Sequence, residues 1–274
     1  MDHVSIDLIV QQIRRSRDLL FFRLCILIVQ NKNWTNQMTR LKTEFIKLDD
    51  IRMAYWQHGK GENLIFLHGN SGSKAFFKQY LLDHFPMFHC YAIDSRGHGQ
   101  SRSKDEVLSY EQQSEDILHF CQTKGIQNAS VVGYSDGGNL ALWLAIKDPE
   151  RFDKIVAISP NTVASATTER SMNAIRKFID TMTFWKRLGM PLKKQIMRFQ
   201  LMLTDTGITD EDLKKISSKT LLIYAEKDMI IEDHFLHIAE LIPSIKLIKM
   251  NGCTHLSTPL QAETISHIRD FLSR

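Results

Sequence analysis

The chain has 274 residues, of which 43% are hydrophobic, so it is long enough to bury one large core. Its formal net charge at pH 7 is only +4, and residues 1–40 contribute +3 of it, which argues against a dedicated nucleic-acid-binding protein. The four cysteines, Cys25, Cys90, Cys121 and Cys253, show neither paired nor metal-ligand spacing. These observations predict a cytoplasmic protein without disulfides or a metal ion.

The first forty residues differ from the rest of the chain. Residues 19–29 form an apolar run that is interrupted by Arg23 and preceded by arginines, which is similar to a signal peptide. However, no cleavage site of small residues follows the run. The run is also shorter than the roughly 20 residues that a membrane-spanning helix needs. We predict that residues 1–40 form an amphipathic or poorly ordered leader, in preference to contact of residues 1–30 with a membrane surface. A translation start at Met38 is the alternative, because the predicted domain begins just after it.

From residue 43 onward, short apolar runs alternate with segments of helical period. Residues 43–48 and 52–57 alternate with period two around two aspartates, which predicts an antiparallel hairpin. The remaining predicted strands are 63–67, 88–93, 130–132, 154–158, 219–225 and 245–250, and the predicted helices are 75–84, 110–123, 139–147, 233–241 and 261–272. Strands that alternate with helices predict an α/β fold, with a mostly parallel central sheet and helices on both faces.

A G-x-S-x-G motif, Gly133-Tyr134-Ser135-Asp136-Gly137, lies between a predicted strand and a predicted helix. This context is typical of a nucleophile elbow, in which a sharp turn presents the serine at the edge of the sheet. The flanking glycines have a steric reason, since a Cβ at either position would collide with so tight a turn. The alternative, an ordinary serine at a helix N-cap, is disfavoured by both glycines and by the preceding strand.

Three further motifs surround the elbow in a fixed order. His68-Gly69-Asn70 follows a predicted strand, and residues 94–101 read Asp-Ser-Arg-Gly-His-Gly-Gln-Ser. After the elbow, Asp228 and His255 each follow a predicted strand. Together with Ser135, these motifs resemble the α/β-hydrolase superfamily over nearly everything from about residue 43 to the end. The order of nucleophile, acid and histidine along the chain is the one expected of that fold.

The residue types suit an acyl-transfer reaction. A serine hydroxyl needs a base to remove its proton, and an imidazole titrates near neutral pH, so His255 is the predicted base for Ser135. Asp228 is placed to fix the tautomer of that histidine. The tetrahedral intermediate also needs hydrogen-bond donors for its oxyanion. Elbow geometry supplies the backbone N–H of Asp136, and the resemblance implies the backbone N–H of Asn70 as the second donor.

Several residues have a second interpretation. Glu226 competes for the role of the acid, because it follows the same predicted strand. The alternative for His255 is a loop histidine without a role, although of the eleven histidines only this one lies between the last strand and a helix. His68 is interpreted as a structural residue that holds the oxyanion loop. Arg96 and His98 are interpreted as residues that shape their own loop.

The side chain of Asp136 is the main departure from a plain elbow. One interpretation is a local hydrogen bond at the start of the helix, where the helix dipole favours a carboxylate. The other is a carboxylate that faces the substrate pocket and favours a cationic or amine-bearing substrate.

Residues 161–218 are predicted to form a helical cap, inserted between the core segments 41–160 and 219–274. The resemblance implies that such an insertion determines substrate specificity. Ile175, Phe178, Ile179 and Met182 follow helical spacing, and so, more loosely, do Ile196, Met197, Phe199, Gln200 and Leu203; Gly189-Met190-Pro191 breaks the pattern between them. Five of the eleven methionines lie in this segment, and flexible thioethers suit an adaptable apolar lining. Packing of the cap onto the sheet is the alternative role for each of them.

The sequence therefore predicts a serine hydrolase that cleaves a carboxylic ester, thioester or lactone through an acyl-enzyme intermediate. The predicted partner is a small apolar acyl substrate, and no organic cofactor is implied. Serine at the elbow disfavours the dehalogenase and epoxide-hydrolase branches, which the resemblance implies would carry an aspartate there. Carbon–carbon bond hydrolases, amidases and acyltransferases of the same fold stay open. So does a ligand receptor or regulator that keeps the triad but has little turnover.

Overall fold

The computed structural model describes residues 41–104 and 108–274. The predicted leader in residues 1–40, the membrane-surface contact of residues 1–30 and the alternative start at Met38 lie outside these described residues. Within them, none of the helices combines the length and the apolar character needed to cross a membrane.

A single sheet of nine strands carries the described part of the chain. The strands are β1 (Glu44–Lys47), β2 (Ile51–His58), β3 (Glu62–Leu67), β4 (Phe88–Ile93), β5 (Arg102–Ser103), β6 (Ala129–Tyr134), β7 (Lys154–Ile158), β8 (Lys219–Lys227) and β9 (Ile245–Thr254). Their order across the sheet is β1-β2-β4-β3-β6-β7-β8-β9, and β5 pairs with β2. β1 and β2 form the predicted antiparallel hairpin. β2 is antiparallel to β4, and all pairings from β4 to β9 are parallel, so the predicted sheet is confirmed.

Helices cover both faces of this sheet. They are α1 (Tyr110–Lys124), α2 (Asp136–Lys147), α3 (Glu169–Arg187), α4 (Lys193–Leu201), α5 (Asp210–Lys214), α6 (Glu232–Leu241) and α7 (Ala262–Leu272). Alternate residues of the central strands enter two separate buried clusters, because successive side chains of a strand point to opposite faces. One cluster includes side chains of α1, α2 and α6, and the other includes side chains of α7 and of residues 74–85. The predicted α/β architecture is thus confirmed.

The helix predicted over residues 75–84 is not one α-helix. The structure has a 3₁₀ turn at Lys74–Phe77 and a single π-helical turn at Tyr80–His84. The Lys74 backbone N–H and ammonium group both donate to the Asp94 carboxylate, at 2.6 and 2.7 Å. Aromatic side chains of both turns pack around Phe66 of β3. These tertiary contacts determine the backbone here, and they override the helical spacing of the apolar residues.

The segment predicted as a cap lies between β7 and β8. It contains a 3₁₀ turn at Ala164–Ala166 followed by α3, α4 and α5. Ile175 and Met182 of α3 are buried, and Phe178 packs against Phe199 of α4 with ring centroids 4.7 Å apart. The predicted break at residues 189–191 separates α3 from α4. The limits of the cap as a domain stay a prediction.

His234 holds the start of this segment against the core. It lies in the first turn of α6, is buried, and its Nε2 accepts the Thr162 backbone N–H at 3.0 Å. The Thr162 carbonyl oxygen in turn accepts the Thr206 N–H and hydroxyl, at 3.0 and 2.8 Å. Because Nε2 acts as an acceptor, His234 must be neutral in the folded protein. Burial, reinforced by the nearby His237, lowers the pKa of His234 to about 4.

We expect His234 to make the folded state less stable in acid. Between its unfolded pKa of about 6.5 and its folded pKa of about 4, only the unfolded chain binds the proton, so stability falls as the pH drops through this window. Replacement by glutamine keeps an acceptor but cannot titrate. Urea unfolding near pH 7 and near pH 5 should show a smaller acid loss in His234→Gln than in wild type, by on the order of 2 kcal/mol. Equal losses of stability in His234→Gln and wild type would refute this role of His234. The variant His58→Gln is the control for the removal of a histidine.

Candidate active site

Four neighbouring strands end at the same edge of the sheet and bring the predicted site residues together. Ser135 directly follows β6 and Ser159 directly follows β7. β8 and β9 run further, to the paired residues Lys227 and Thr254, with a register shift between Ala225 and Lys227. The next residues along these two strands are Asp228 and His255. Parallel pairing therefore places the predicted acid beside the predicted base.

The three predicted triad side chains form one chain of hydrogen bonds. His255 Nδ1 lies 2.6 Å from Asp228 Oδ1, and His255 Nε2 lies 3.1 Å from Ser135 Oγ. The side chains of His255 and Asp228 are 8% and 2% exposed, so little water competes for the contact between them. An ionised carboxylate accepts only, so Nδ1 carries the proton and Nε2 is free to accept the Ser135 hydroxyl.

The surroundings of Asp228 keep it ionised. Burial by itself would raise the pKa of this carboxyl, but the interaction with His255 and the hydrogen bonds donated by Ser159 and Ile230 together outweigh burial, and the pKa lies below its ordinary value. The Ser159 hydroxyl contributes by donating to Asp228 Oδ2 at 2.6 Å. The Ile230 N–H donates to Oδ1 at 3.1 Å. Glu226, the competing acid, instead accepts the Gly252 backbone N–H at 2.6 Å.

The backbone at Ser135 has the strained conformation that a sharp elbow requires. Its φ of 53° and ψ of −119° put it in a region that residues with a Cβ rarely adopt. A Cβ at Gly133 would overlap the carbonyl oxygen of Gly137, and a Cβ at Gly137 would overlap the carbonyl oxygen of Leu67. Both glycines are therefore required by backbone contacts, as the motif predicts.

We expect Gly137→Ala to destabilise the protein far more than Gly138→Ala. Both residues lie in α2, but the added Cβ at Gly138 would meet its nearest atom, the Ile158 carbonyl oxygen, at 3.3 Å, which a small shift relieves. At Gly137 the obstacle is the backbone of Leu67 and His68 at the end of β3, which no side-chain rotation can relieve, so overpacking should cost about 3 kcal/mol. Urea unfolding of the two variants measures the difference. Equal stabilities would contradict this account of the elbow.

The two residues predicted to supply oxyanion donors lie next to each other. Asp136 is the first residue of α2, so its backbone N–H has no partner within the helix. Asn70 lies in the loop after β3, and its Nδ2 is 2.9 Å from Asp136 Oδ2. Their use as oxyanion donors stays a prediction.

The Asp136 carboxylate has partners that neither sequence interpretation includes. It is 8% exposed and accepts hydrogen bonds from Asn70 Nδ2 and from the Tyr110 hydroxyl, each at 2.9 Å. The expected local hydrogen bond at the helix start is replaced by these two long-range contacts, although the position still suits the helix dipole. Burial raises the pKa of the Asp136 carboxyl, and the two donated hydrogen bonds only partly oppose that rise.

The remaining motif residues hold the loops around the site. His68 Nε2 accepts the Ser95 N–H at 3.2 Å, which leaves Nδ1 to donate to the Gly69 carbonyl oxygen at 2.8 Å. Arg96 is 1% exposed and forms ion pairs with Asp50 and Asp116 at 2.6 and 2.7 Å. These contacts match the structural roles expected for both side chains.

Sequence reasoning missed several residues that orient the site. Ser159 donates to Asp228, Tyr110 donates to Asp136, and the Tyr134 hydroxyl donates to the His255 carbonyl oxygen at 3.1 Å. Ser159 directly follows an apolar strand, and this position could have identified it from the sequence as a residue of the site. Nothing in the sequence around Tyr110 or Tyr134 indicates a distant hydrogen-bond partner.

Comparison with known proteins gives a family model, curated relatives and solved structures that resemble this chain. A family model described as the alpha/beta hydrolase fold matches residues 62–195. The dihydrolipoyllysine-residue acetyltransferase component of the acetoin cleaving system of Cupriavidus necator is 32% identical over 139 residues, which are 48% of this chain and 36% of that protein. Ethanol acetyltransferase 1 of Cyberlindnera jadinii is 35% identical over 102 residues, 35% of this chain and 29% of that protein. The chain thus spans only about a third of the length of these curated relatives.

Solved structures share the fold of this chain. The crystal structure of carboxylesterase CesB (YbfK) from Bacillus subtilis superposes with a TM-score of 0.71 and covers 93% of this chain and 98% of that one. At 19% sequence identity this likeness shows a common fold only. The sheet order, the strained serine elbow and the match of residues 62–195 to the family model together show that the chain has the fold of the α/β-hydrolase superfamily.

Proposed function

We propose that this protein is a serine hydrolase that cleaves a carboxylic ester, thioester or lactone. The observation that carries the proposal is the unbroken series of hydrogen bonds from Asp228 through His255 to Ser135, with distances of 2.6 and 3.1 Å. A neutral imidazole whose Nε2 accepts the serine hydroxyl, and whose Nδ1 donates to a buried carboxylate, is arranged for general-base catalysis.

In the proposed acylation step, Ser135 Oγ attacks the carbonyl carbon of the substrate. Its proton passes to His255 Nε2, and the electron pair of the carbonyl double bond moves to the oxygen. The backbone N–H groups of Asn70 and Asp136 receive that oxyanion, and each such donor is worth about 2.7–4 kcal/mol of the barrier. The intermediate then collapses, and the leaving group departs with the proton from His255.

Water completes the reaction in the second step. It attacks the acyl carbon and loses a proton to His255 Nε2, and the second intermediate releases the carboxylic acid. Ser135 leaves as the hydroxyl with the proton that His255 returns. Asp228 stays ionised throughout and stabilises the imidazolium.

The test is turnover of p-nitrophenyl esters of increasing acyl length, from acetate to octanoate, monitored by release of p-nitrophenolate. We expect saturable hydrolysis with a preference for one range of chain lengths, because an apolar acyl pocket has a finite depth. Folded protein that hydrolyses none of these esters and resists serine-directed reagents would favour the receptor alternative.

Acyl transfer to an alcohol is the second candidate, and the match to ethanol acetyltransferase 1 favours it. Both reactions pass through the same acyl-enzyme and differ in whether water or an alcohol attacks it. With an acetyl ester as donor and ethanol added, gas chromatography measures the ratio of ethyl acetate to acetate. A ratio above that set by the ethanol-to-water concentration indicates a transferase, and a ratio at or below it indicates a hydrolase.

A further inference from the structure

The carboxamide of Asn70 connects three separate parts of the protein. Nδ2 donates to the Asp136 carboxylate of α2 at 2.9 Å and to the Arg198 carbonyl oxygen of α4 at 2.7 Å. Oδ1 accepts the hydroxyl of Ser71 at 2.9 Å. An amide nitrogen has two hydrogens to donate, so both are in use and the orientation of the side chain is fixed.

Asp136 is held by the helix that it begins as well as by side-chain hydrogen bonds. It begins α2 immediately after Ser135, and its second carboxylate oxygen accepts the buried Tyr110 hydroxyl at 2.9 Å. Asn70, in contrast, lies in a loop whose next residue, Ser71, has a φ of +56°, which is unfavourable for serine. Such a loop keeps its conformation only where tertiary contacts stabilise it. The rigid partner of the pair is therefore Asp136.

We propose that Asp136 is a positioning residue that acts through Asn70. Its carboxylate holds the Asn70 carboxamide, and thereby sets the direction of the Asn70 backbone N–H toward the oxyanion. The same carboxamide joins α4 of the predicted cap to this loop through the Arg198 carbonyl oxygen. The inference rests on the proposed function, since it concerns the donors of the proposed oxyanion hole.

Asp136 acts through the geometry of its hydrogen bonds and not through its negative charge, and two substitutions distinguish these two effects. In Asp136→Asn, Oδ1 can accept from Asn70 while Nδ2 donates to the Tyr110 hydroxyl oxygen, so the network re-forms without the charge. In Asp136→Ala both contacts are lost and the loop is released. A misplacement of about 1 Å in such a site costs about 100-fold in rate. We therefore expect kcat to fall about 100-fold in Asp136→Ala with KM nearly unchanged, and to stay close to wild type in Asp136→Asn.

Two further variants keep the test decisive if Asp136→Ala folds poorly. Asn70 is half-buried, so Asn70→Ala should fold, and it releases the loop from the other side with a similar loss of kcat. The double variant should be no slower than Asn70→Ala alone, because both changes remove one interaction. The matched control is Glu44→Ala, since Glu44 accepts a tyrosine hydroxyl, that of Tyr55, at the same 2.9 Å but on the β1–β2 hairpin. It should leave kcat unchanged.

The steady-state kinetics of p-nitrophenyl ester hydrolysis, with thermal unfolding of each variant, give the result. The inference is supported if Asp136→Asn retains the kcat of wild type while Asp136→Ala and Asn70→Ala lose it. The double variant should show no further loss of kcat. Equal losses in Asp136→Asn and Asp136→Ala would overturn it in favour of a charge effect on His255. Wild-type kcat in folded Asp136→Ala or in Asn70→Ala would also overturn it. An inactive wild type would refute the proposed function itself, and is thereby distinguished from failure of this inference alone.

Discussion

Replacing Ser135 by alanine is expected to lower kcat for ester hydrolysis by about 10⁶-fold. The substitution removes the hydroxyl oxygen that forms the acyl bond in the proposed mechanism, so His255 and the oxyanion donors lose the nucleophile that they assist. The fold should survive, because the hydroxyl lies at the edge of the sheet and its loss leaves the backbone of the elbow intact. Release of p-nitrophenolate measures the effect, and circular dichroism verifies folding.

Ser130→Ala is the matched control for this experiment. Ser130 is a buried serine, 7% exposed, on the same strand that leads into the elbow. It lies near the start of β6, at the end of the strand opposite to Ser135. Its replacement should leave kcat unchanged. If the two alanine variants kept equal activity, Ser135 would not be the nucleophile.

Asp228→Asn should give the second largest loss, about 10⁴-fold in kcat. An asparagine at this position presents either an amide oxygen or an N–H to His255 Nδ1. Orientation of the N–H toward the ring would favour the tautomer with the proton on Nε2, which cannot accept from Ser135. Loss of the negative charge also removes the stabilisation of the imidazolium that forms in both steps. The same ester assay at saturating substrate measures the loss.

Glu226→Gln distinguishes the acid from its nearest competitor. Glu226 is two residues away and exposed, and its carboxylate contacts the Gly252 N–H in place of His255. We expect this variant to keep the activity of wild type. A large loss in Glu226→Gln with little loss in Asp228→Asn would assign the role of the acid to Glu226.

The elbow could be predicted from sequence because its determinants are local. Two glycines around Ser135, an apolar strand before it and a helix after it lie within about twenty consecutive residues, and each has a steric or periodic reason. The position of Asp228 and His255 was predictable for a related reason, since residues that follow parallel strands meet at one edge of the sheet.

The lengths of the last strands were not predictable in the same way. β8 and β9 continue through polar residues to Lys227 and Thr254, where the sequence has the composition of loops. Their extension depends on pairing with each other across a register shift. The sequence prediction ends both strands early, although it places the residues that follow them correctly.

Side-chain contacts between distant parts of the chain were also beyond sequence reasoning. Asn70 and Asp136 are 66 residues apart, and Asn70 and Arg198 are 128 apart. No periodicity or spacing connects such residues, because only the folded sheet brings their loops together. For the same reason the turns at residues 74–84 follow the Lys74–Asp94 contact and not the helical pattern of their apolar residues.

Labelling with a fluorophosphonate, followed by mass spectrometry of the intact protein and of its peptides, tests the central claim most directly. Such a probe phosphonylates a serine only where a base and an oxyanion site activate it. We predict one adduct per chain, located on Ser135, and no adduct in Ser135→Ala or His255→Ala. Folded wild-type protein that stays unlabelled, or an adduct on another residue, would contradict the assignment of Ser135, His255 and Asp228 as a catalytic triad.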